Sequence, residues 1–193
     1  FYSDRYLDRI VKKVVEETRR LRGKKILIGE CGHASRSAKF FAATFGGGKD
    51  APQVINCMEY LHEMLKAGRI KLDPNVITER VTYHDPCHLK KSLGIVNEPR
   101  ELIVASPGYE LLEMENSDTC CGMGGSFNLK YYDISDSIGK EKAANIEKTG
   151  SQVVATGCPA CMFQLSDMLS KSGSDILVKH PIEIFAESLK KET

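Results

Sequence analysis

The stretch QVVATGCPAC, residues 152–161, predicts a buried strand that runs directly into a helix. Its apolar start is typical of a strand over residues 152–157 that is buried in a parallel sheet. Proline is favoured in the first turn of a helix, so a helix is expected over Pro159–Ser170. Cys158 then lies at the helix start, where free N–H groups and the helix dipole favour a thiolate. Cys161 follows one turn later on the same face, so both sulfurs can reach one centre.

Strands alternate with helices on both sides of this stretch. Such alternation predicts an α/β fold with mainly parallel sheets, arranged here as two lobes. The predicted strands are 24–30, 54–57, 80–85, 110–115, 152–157 and 175–180, and the predicted helices are 6–21, 35–44, 58–67, 99–106, 133–148, 159–170 and 181–190. The segment KLDPN at 71–75 has turn-forming residues and predicts a boundary between a lobe of residues 1–77 and a lobe of residues 78–193.

Three further cysteines follow the other strands of the second lobe. Cys87 comes after the strand RVTYHD, and the adjacent pair Cys120-Cys121 comes after the strand ELLEME, which gives the pattern C-x32-CC-x36-C-x2-C. Glycines in the sequence CCGMGG let the backbone turn so that both neighbouring thiols can face one metal. Because ligands bind outside the carboxyl ends of parallel strands, we expect all five thiols at one edge of the sheet.

Composition and charge exclude several classes of protein. The formal net charge of +1 gives no electrostatic support for binding nucleic acid or a membrane surface. No apolar run approaches the roughly 20 residues needed to span a bilayer, and the first helix lacks the apolar region of a signal peptide. Seven cysteines without such a signal favour metal or redox chemistry in the cytoplasm. The chain begins without an initiator Met, which predicts a piece of a longer protein.

The five thiols allow three kinds of site. A CPAC sequence at a helix start is typical of a thioredoxin-like dithiol, but that interpretation leaves the other three cysteines without a role. A structural zinc site takes four ligands and leaves one thiol spare. An iron–sulfur cluster takes all-thiolate ligation, and a cluster larger than an ordinary cubane can use five. The cluster explains the most residues, while zinc and the dithiol stay open as alternatives.

The motifs YHDPCH, TCCGMGG and TGCPAC, with this cysteine spacing, resemble the cysteine-rich CCG domain over residues 78–193. That domain is found in heterodisulfide reductase subunits and in iron–sulfur subunits of glycolate, lactate and glycerol-3-phosphate oxidising enzymes. The resemblance implies an oxidoreductase component that transfers electrons and is inactive without partner subunits or domains. Two branches fit: reduction of a disulfide, or relay of electrons from a 2-hydroxyacid oxidase.

The resemblance also implies a cofactor and partners. The cofactor is a [4Fe-4S] cluster, which is noncubane in the heterodisulfide reductase branch, with zinc as the alternative. Its partners are ferredoxin-type domains, a flavoprotein or a membrane cytochrome, so the chain is expected in the cytoplasm or peripheral to the inner face of the membrane. The implied ligands are Cys87, Cys120, Cys121, Cys158 and Cys161.

The first lobe resembles the end of a preceding, degenerate CCG repeat. Its ECGHAS sequence keeps Cys31, but Ala34 stands where a second cysteine is expected. His33 is a candidate substitute ligand, although a polar role in a loop explains it equally well. Cys57 ends a short strand, where a buried structural thiol is the expected role.

Polar residues near the thiols are candidates for supporting roles. His84 and His88 are candidate proton donors to a leaving thiolate, or hydrogen-bond donors to cluster sulfurs, whereas organising the turn explains His84 and Asp85 as well. Ser126 and Asn128 are candidate donors that follow the CCGMGG sequence. The charged run GKEKAANIEKTG, residues 139–150, is expected to be a solvated helix face. His180 is expected to pack at the start of the last helix.

Overall fold

A computed structural model describes residues 4–29, 31–45, 48–73 and 78–189 of the chain. Its packing separates two compact units, Phe1–Cys57 and Met58–Thr193. The lobe boundary expected between residues 77 and 78 stays a prediction. Several predicted features lie outside the described residues: the end of the first strand at Glu30, the glycines 46 and 47 after the second helix, Pro74 and Asn75 of the boundary segment, and Lys190 at the end of the last helix.

The first unit contains a small parallel sheet. Its elements are α1 (Asp4–Arg20), β1 (Lys25–Ile28), α2 (Gly32–Phe45), a 3₁₀ turn (Gly48–Asp50) and β2 (Gln53–Asn56). α3 (Cys57–Lys66) follows directly and lies in the second unit from Met58 onward. β1 and β2 are parallel, with Ile28 opposite Asn56. Cys57 is buried, and its thiol donates a hydrogen bond to the carbonyl of Gly29, which confirms the expected structural role.

The second unit contains a four-stranded parallel sheet. After α3 its elements are β3 (Glu79–Tyr83), a π-helical turn (His88–Leu93), α4 (Asn97–Ala105), β4 (Tyr109–Leu111), α5 (Phe127–Lys130), α6 (Tyr132–Glu147), β5 (Val153–Ala155), α7 (Pro159–Ser172), β6 (Leu177–Lys179) and α8 (Pro181–Glu187). The strand order in the sheet is β4-β3-β5-β6. Together the two sheets confirm the predicted α/β fold with parallel strands.

Helices cover both faces of the larger sheet. Val154 points to one face and packs in a cluster with Ile146 of α6 and Leu165 of α7. Val153 and Ala155 point to the other face, where Ile184 of α8 joins the cluster. Because β5 is covered on both faces, it consists entirely of apolar residues, as a central parallel strand does.

The register brings the carboxyl ends of three strands to one level. Tyr83 is opposite Ala155, and Ala155 is opposite Lys179. The backbone ladder continues by one more bond, since the N–H of His84 donates to the carbonyl of Ala155 at 2.9 Å. The segments that leave this edge carry the cysteines of the second unit.

Candidate metal centre

The segment after β3 leaves the sheet at His84 and turns sharply at Pro86. Lys90 donates its backbone N–H to the carbonyl of Pro86 at 3.0 Å, which begins the π-helical turn that the sequence did not predict. Cys87 lies at the start of this turn and is exposed. Its Sγ is 3.6 Å from Nδ1 of His88, so this thiol stands at the solvent side of the edge with a histidine beside it.

The segment after β5 places two thiols on the first turn of α7. Cys158 is the N-cap residue, with extended backbone angles, and Pro159 follows in the first turn. Cys161 is one turn further on and is buried. This arrangement confirms the predicted helix start at Cys158.

The adjacent cysteines lie in a loop that glycine makes feasible. Gly122 has φ +96, and a Cβ atom there would lie 2.6 Å from the carbonyl oxygen of Ser135 on α6. The Ser135 hydroxyl donates to the Gly122 carbonyl at 2.9 Å, so the loop is fixed against the helix. Cys120 is exposed and accepts the Gly122 N–H at 3.3 Å, whereas Cys121 is 3% exposed. One thiol of the pair therefore faces solvent and the other faces the interior.

The buried thiols form the centre of this edge. The Sγ atoms of Cys121 and Cys161 are 3.3 Å apart. A ring nitrogen of His84 joins them, and the three ligand atoms lie within 4.8 Å of one another. Cys158, the N-cap residue of α7, and Cys120, the neighbour of Cys121, flank this pair along the chain. Cys121 and Cys161 are therefore the two predicted thiols that the geometry brings into direct contact.

Cys87 is not part of this buried group. Its Sγ contacts the ring of His88. The assignment of the five cysteines as one ligand set stays a prediction. His84, expected as a proton donor, lies among the thiols as a potential ligand.

The thiols of this edge shift one another's pKa values. Bonds from Cys120 and then from Cys161 and His84 lower the pKa of the Cys121 thiol far below its ordinary value, despite burial. The same bonds, together with burial, raise the pKa of Cys120 and of Cys161. A hydrogen bond from Cys161, joined by N–H groups of the helix start, lowers the pKa of Cys158 to about 6 although burial opposes it. Thiolate is the form that binds metal.

The donor set fits a metal bound by soft ligands. Nδ1 of His84 is buried and has no hydrogen-bond partner among the described residues. Two buried sulfurs and a buried imidazole nitrogen within 4.8 Å are ligands that zinc and iron–sulfur centres use. Cys31 and His33, the candidate ligands of the first lobe, are absent from this group, and their role stays a prediction.

Asp85 links the segment of Cys87 both to α4 and to the segment of Cys120-Cys121. Asp85 is 2% exposed, and the guanidinium of Arg100 donates to both of its carboxylate oxygens at 2.8 Å. Ser117 closes the link, because its hydroxyl donates to Asp85 at 2.8 Å and its carbonyl accepts the Asp85 N–H at 3.0 Å. The turn-organising role considered for Asp85 therefore reaches across to the next loop. No pattern in the sequence pointed to its partner Arg100.

The remaining polar candidates from the sequence, His180, Ser126 and Asn128, contact neighbouring structural elements or make no capping bond. His180 caps α8, and its ring accepts the N–H of Ile182 at 3.3 Å, as expected. The Asn128 amide donates to the sulfur of Met123 at 2.9 Å, and the Ser126 hydroxyl makes no capping hydrogen bond at the start of α5.

The expectation for the charged run 139–150 was wrong at one position. The side chain of Lys140 is 63% exposed, but Lys142 is 1% exposed. Lys142 lies on the buried stripe of α6 with Gly139, Ala143 and Ile146, so helix periodicity overrides its charge. The spacing of that stripe was the signal that a sequence analysis could have used.

The comparisons with known proteins agree with this geometry. The profile of the CCG cysteine-rich domain matches residues 81–166, which contain every element of the thiol edge from β3 to the first turn of α7. Residues 81–166 belong to the CCG cysteine-rich domain family. The recognition made from the sequence motifs is thereby confirmed.

Three relatives extend the match over most of the chain. A subunit of the fumarate reductase (CoM/CoB) of Methanothermobacter marburgensis is 36% identical, over 91% of this chain and 35% of its own length. A subunit of the dihydromethanophenazine:CoB–CoM heterodisulfide reductase of Methanosarcina barkeri is 33% identical, over 93% of this chain and 44% of its own length. Lactate utilization protein A of Oceanobacillus iheyensis is 25% identical, over 95% of this chain and 77% of its own length.

The chain thus spans less than half the length of the two reductase subunits. No helix among the described residues combines the length and the apolar character needed to cross a membrane.

Proposed function

We propose that the chain is an iron–sulfur electron-transfer module of a heterodisulfide-reductase-like oxidoreductase. The five cysteines of the second unit hold its cluster, which is a [4Fe-4S] cluster and can be of the noncubane type. The observation that supports the proposal best is the buried Cys121–Cys161 pair, whose sulfurs are 3.3 Å apart and lie beside the buried His84 ring. Two segments that leave the sheet at different strands supply this pair, so the fold itself assembles the donors.

The number of thiols favours iron–sulfur over zinc. A closed zinc site is saturated by four ligands. His84, Cys121 and Cys161 already lie together, and Cys87, Cys120 and Cys158 on neighbouring segments would bring the donors to more than one zinc ion needs. When bound, the cluster supplies a site that accepts and releases single electrons. The protein's contribution is to hold the thiolates and to bury part of the centre, because burial and hydrogen bonds to sulfur set the potential.

The reductase branch is favoured over the lactate branch by similarity. The two reductase subunits are 36% and 33% identical over more than nine-tenths of the chain, against 25% for the lactate utilization protein. Reduction of a disulfide to two thiols consumes two electrons and two protons. Electrons come from partner subunits or domains, and His88, with Nδ1 3.6 Å from the exposed Cys87 Sγ, is placed to deliver a proton at the solvent side.

A relay of electrons from lactate oxidation is the second candidate. Its support is the lactate utilization protein, since this chain covers 77% of that protein's length. The two candidates differ in the final electron acceptor.

An anaerobic assay with a small disulfide distinguishes them: the chain is first reduced chemically, the disulfide is added, and the release of thiols is measured. Stoichiometric release of two thiols per two electrons supports the reductase, whereas a reduced chain that stays reduced favours the relay.

The cluster itself is tested by metal analysis. Anaerobically purified chain should be brown and contain iron and acid-labile sulfide in near-equal amounts. Cys121→Ser should lower the iron content and change the paramagnetic spectrum, because it removes the central buried thiol. Cys57→Ser is the matched control, since Cys57 is a buried thiol of the first unit. A colourless protein with one zinc per chain, or an unchanged spectrum in Cys121→Ser, would contradict the proposal.

A further inference from the structure

A buried lysine lies behind the paired cysteines. Lys142 is 1% exposed on the face of α6 that packs into the core with Ala143 and Ile146. Burying an ammonium group is costly unless it is paired with an anion and hydrogen-bonded. A methionine or leucine would fill this stripe at no such cost, so packing alone does not explain the charge.

The ammonium group is anchored to the loop of the paired cysteines. Lys142 Nζ donates to the carbonyl oxygen of Asn116 at 2.5 Å. The same oxygen accepts the backbone N–H of Thr119 at 3.1 Å and its hydroxyl at 3.0 Å, which closes the turn directly before Cys120. Asn116 has φ 55, a left-handed conformation that this turn requires. Lys142 therefore holds the turn that presents Cys120 and Cys121.

One carbonyl leaves most of the lysine's capacity unused. An ammonium has three protons, and within the part of the chain that the structure describes the Asn116 carbonyl is its only hydrogen-bond partner. Lys142 also makes no ion pair there. Lys90, in contrast, is 3.5 Å from a carboxylate oxygen of Asp85 and 3.3 Å from one of Asp118.

The acidic groups near Lys142 include two thiols of the centre. Burial lowers the pKa of Lys142, and Asp118, Cys121, Asp85 and Cys120 oppose that shift through space. The two carboxylates already have Lys90 and Arg100 as partners. Metal binding would turn Cys120 and Cys121 into thiolates as well, and Lys142 would then be a buried cation beside the loop that carries them.

We propose that Lys142 is a positioning residue that supplies the counter-charge of the metal–thiolate centre and raises its reduction potential. The inference rests on the proposed function, because it needs a bound cluster. Reduction adds a negative charge to the centre. A fixed cation in a protein interior stabilises the reduced form more than the oxidised form, since the local dielectric is low. Removing the cation should therefore make the cluster harder to reduce.

The test compares Lys142→Met with Lys140→Met, each in the iron-loaded chain, by redox titration monitored by electron paramagnetic resonance. Both changes remove a lysine charge from α6, but Lys140 is solvent-exposed and paired with Asp136. We expect Lys142→Met to lower the ratio of reduced to oxidised cluster at a fixed potential at least tenfold, which is about 59 mV for a one-electron couple. Lys140→Met should leave the ratio within about twofold of the wild type, as expected for an exposed, screened charge.

Two further variants separate charge from loop geometry. Thr119→Val removes one hydrogen bond to the Asn116 carbonyl but keeps the charge. The proposal would be overturned if Thr119→Val shifted the reduction potential as much as Lys142→Met does. It would also be overturned if Lys142→Met and Lys140→Met had equal reduction potentials. If Lys142→Met does not fold, Lys142→Gln, which keeps a donor for the carbonyl, takes its place in the same comparison. A wild-type chain that binds no cluster would instead refute the proposed function.

Discussion

Replacing Arg100 by methionine tests whether the ion pair with Asp85 holds the two cysteine-bearing segments together. The guanidinium donates to both oxygens of Asp85 at 2.8 Å, and its Nε donates to Glu113 at 2.7 Å. The Asp85 side chain is 1% exposed, so the change leaves a carboxylate in the interior without its main partner. The aliphatic part of the methionine keeps much of the packing volume.

The contacts of Asp85 set the loss of unfolding free energy that we expect for Arg100→Met. Removing one partner of a buried ion pair costs about 3–5 kcal/mol. Ser117 still donates to Asp85 at 2.8 Å and Lys90 remains at 3.5 Å, so the remaining charge is partly compensated. We therefore expect about 3 kcal/mol, the lower end of the range, which is more than a hundredfold in the unfolding equilibrium.

Hydrogen–deuterium exchange of the metal-free, reduced chain at pH 7 measures this loss. Peptides that cover β3 report the opening free energy of the second unit without interference from the first. Arg80→Met is the matched control, because it also replaces an arginine of the second unit, but Arg80 is exposed and its Nε donates to the neutral Gln152 at 3.4 Å. The control should cost less than about 0.5 kcal/mol. Equal protection in the two variants would refute the reasoning.

Three further predictions concern the same edge. Gly122→Ala should lower the iron content and the free energy of unfolding more than Gly125→Ala does, as measured by metal analysis and urea unfolding. Both glycines have positive φ, but only at Gly122 would a Cβ lie 2.6 Å from a carbonyl oxygen. In the metal-free chain at pH 7, iodoacetamide should alkylate Cys158 faster than the more exposed Cys120, since the pKa of Cys158 is lowered to about 6 and that of Cys120 is raised. Peptide mass spectrometry measures the two alkylation rates, and the difference between them should disappear in urea. Burial by itself raises the pKa of Asp85, but the hydrogen bonds that it accepts hold that pKa below its ordinary value. The contribution of ionised Asp85 to the free energy of unfolding should therefore be complete above about pH 4 and lost as the pH falls through the folded-state pKa. Asp85→Asn should remove this part of the pH dependence of urea unfolding.

Most of the secondary structure could be predicted because local signals agreed. The start of α7 combines a proline, an apolar strand before it and a helical stripe after it, and each points to the same boundary. β4 was predicted over 110–115 but spans Tyr109–Leu111, since the chain turns toward the left-handed Asn116 soon afterwards. The π-helical turn His88–Leu93 has a hydrogen-bonding pattern for which no sequence signal was used.

The sequence predicted the thiols of the candidate site, but it did not predict the charged side chains Arg100 and Lys142 that support it. Cysteines at strand ends are visible in the sequence, because the order of strands and the rule for parallel sheets place them at one edge. The partner of Asp85 lies 15 residues further along the chain, on a different element, and only the folded structure reveals the pair. Lys142 was assigned to a solvated face because it lies in a charged run, although its position in the apolar stripe of α6 outweighs that composition.

The strand order β4-β3-β5-β6 has a consequence for the synthesis of this chain. β3 is the first strand of its sheet to leave the ribosome, yet its partner β5 comes about 70 residues later. Cys121 leaves the ribosome before β5 and Cys161 leaves after it, so their buried contact cannot form until the start of α7 has been made. Thiols that wait for their partner are open to oxidation, which makes the order of synthesis a hazard for this edge of the sheet.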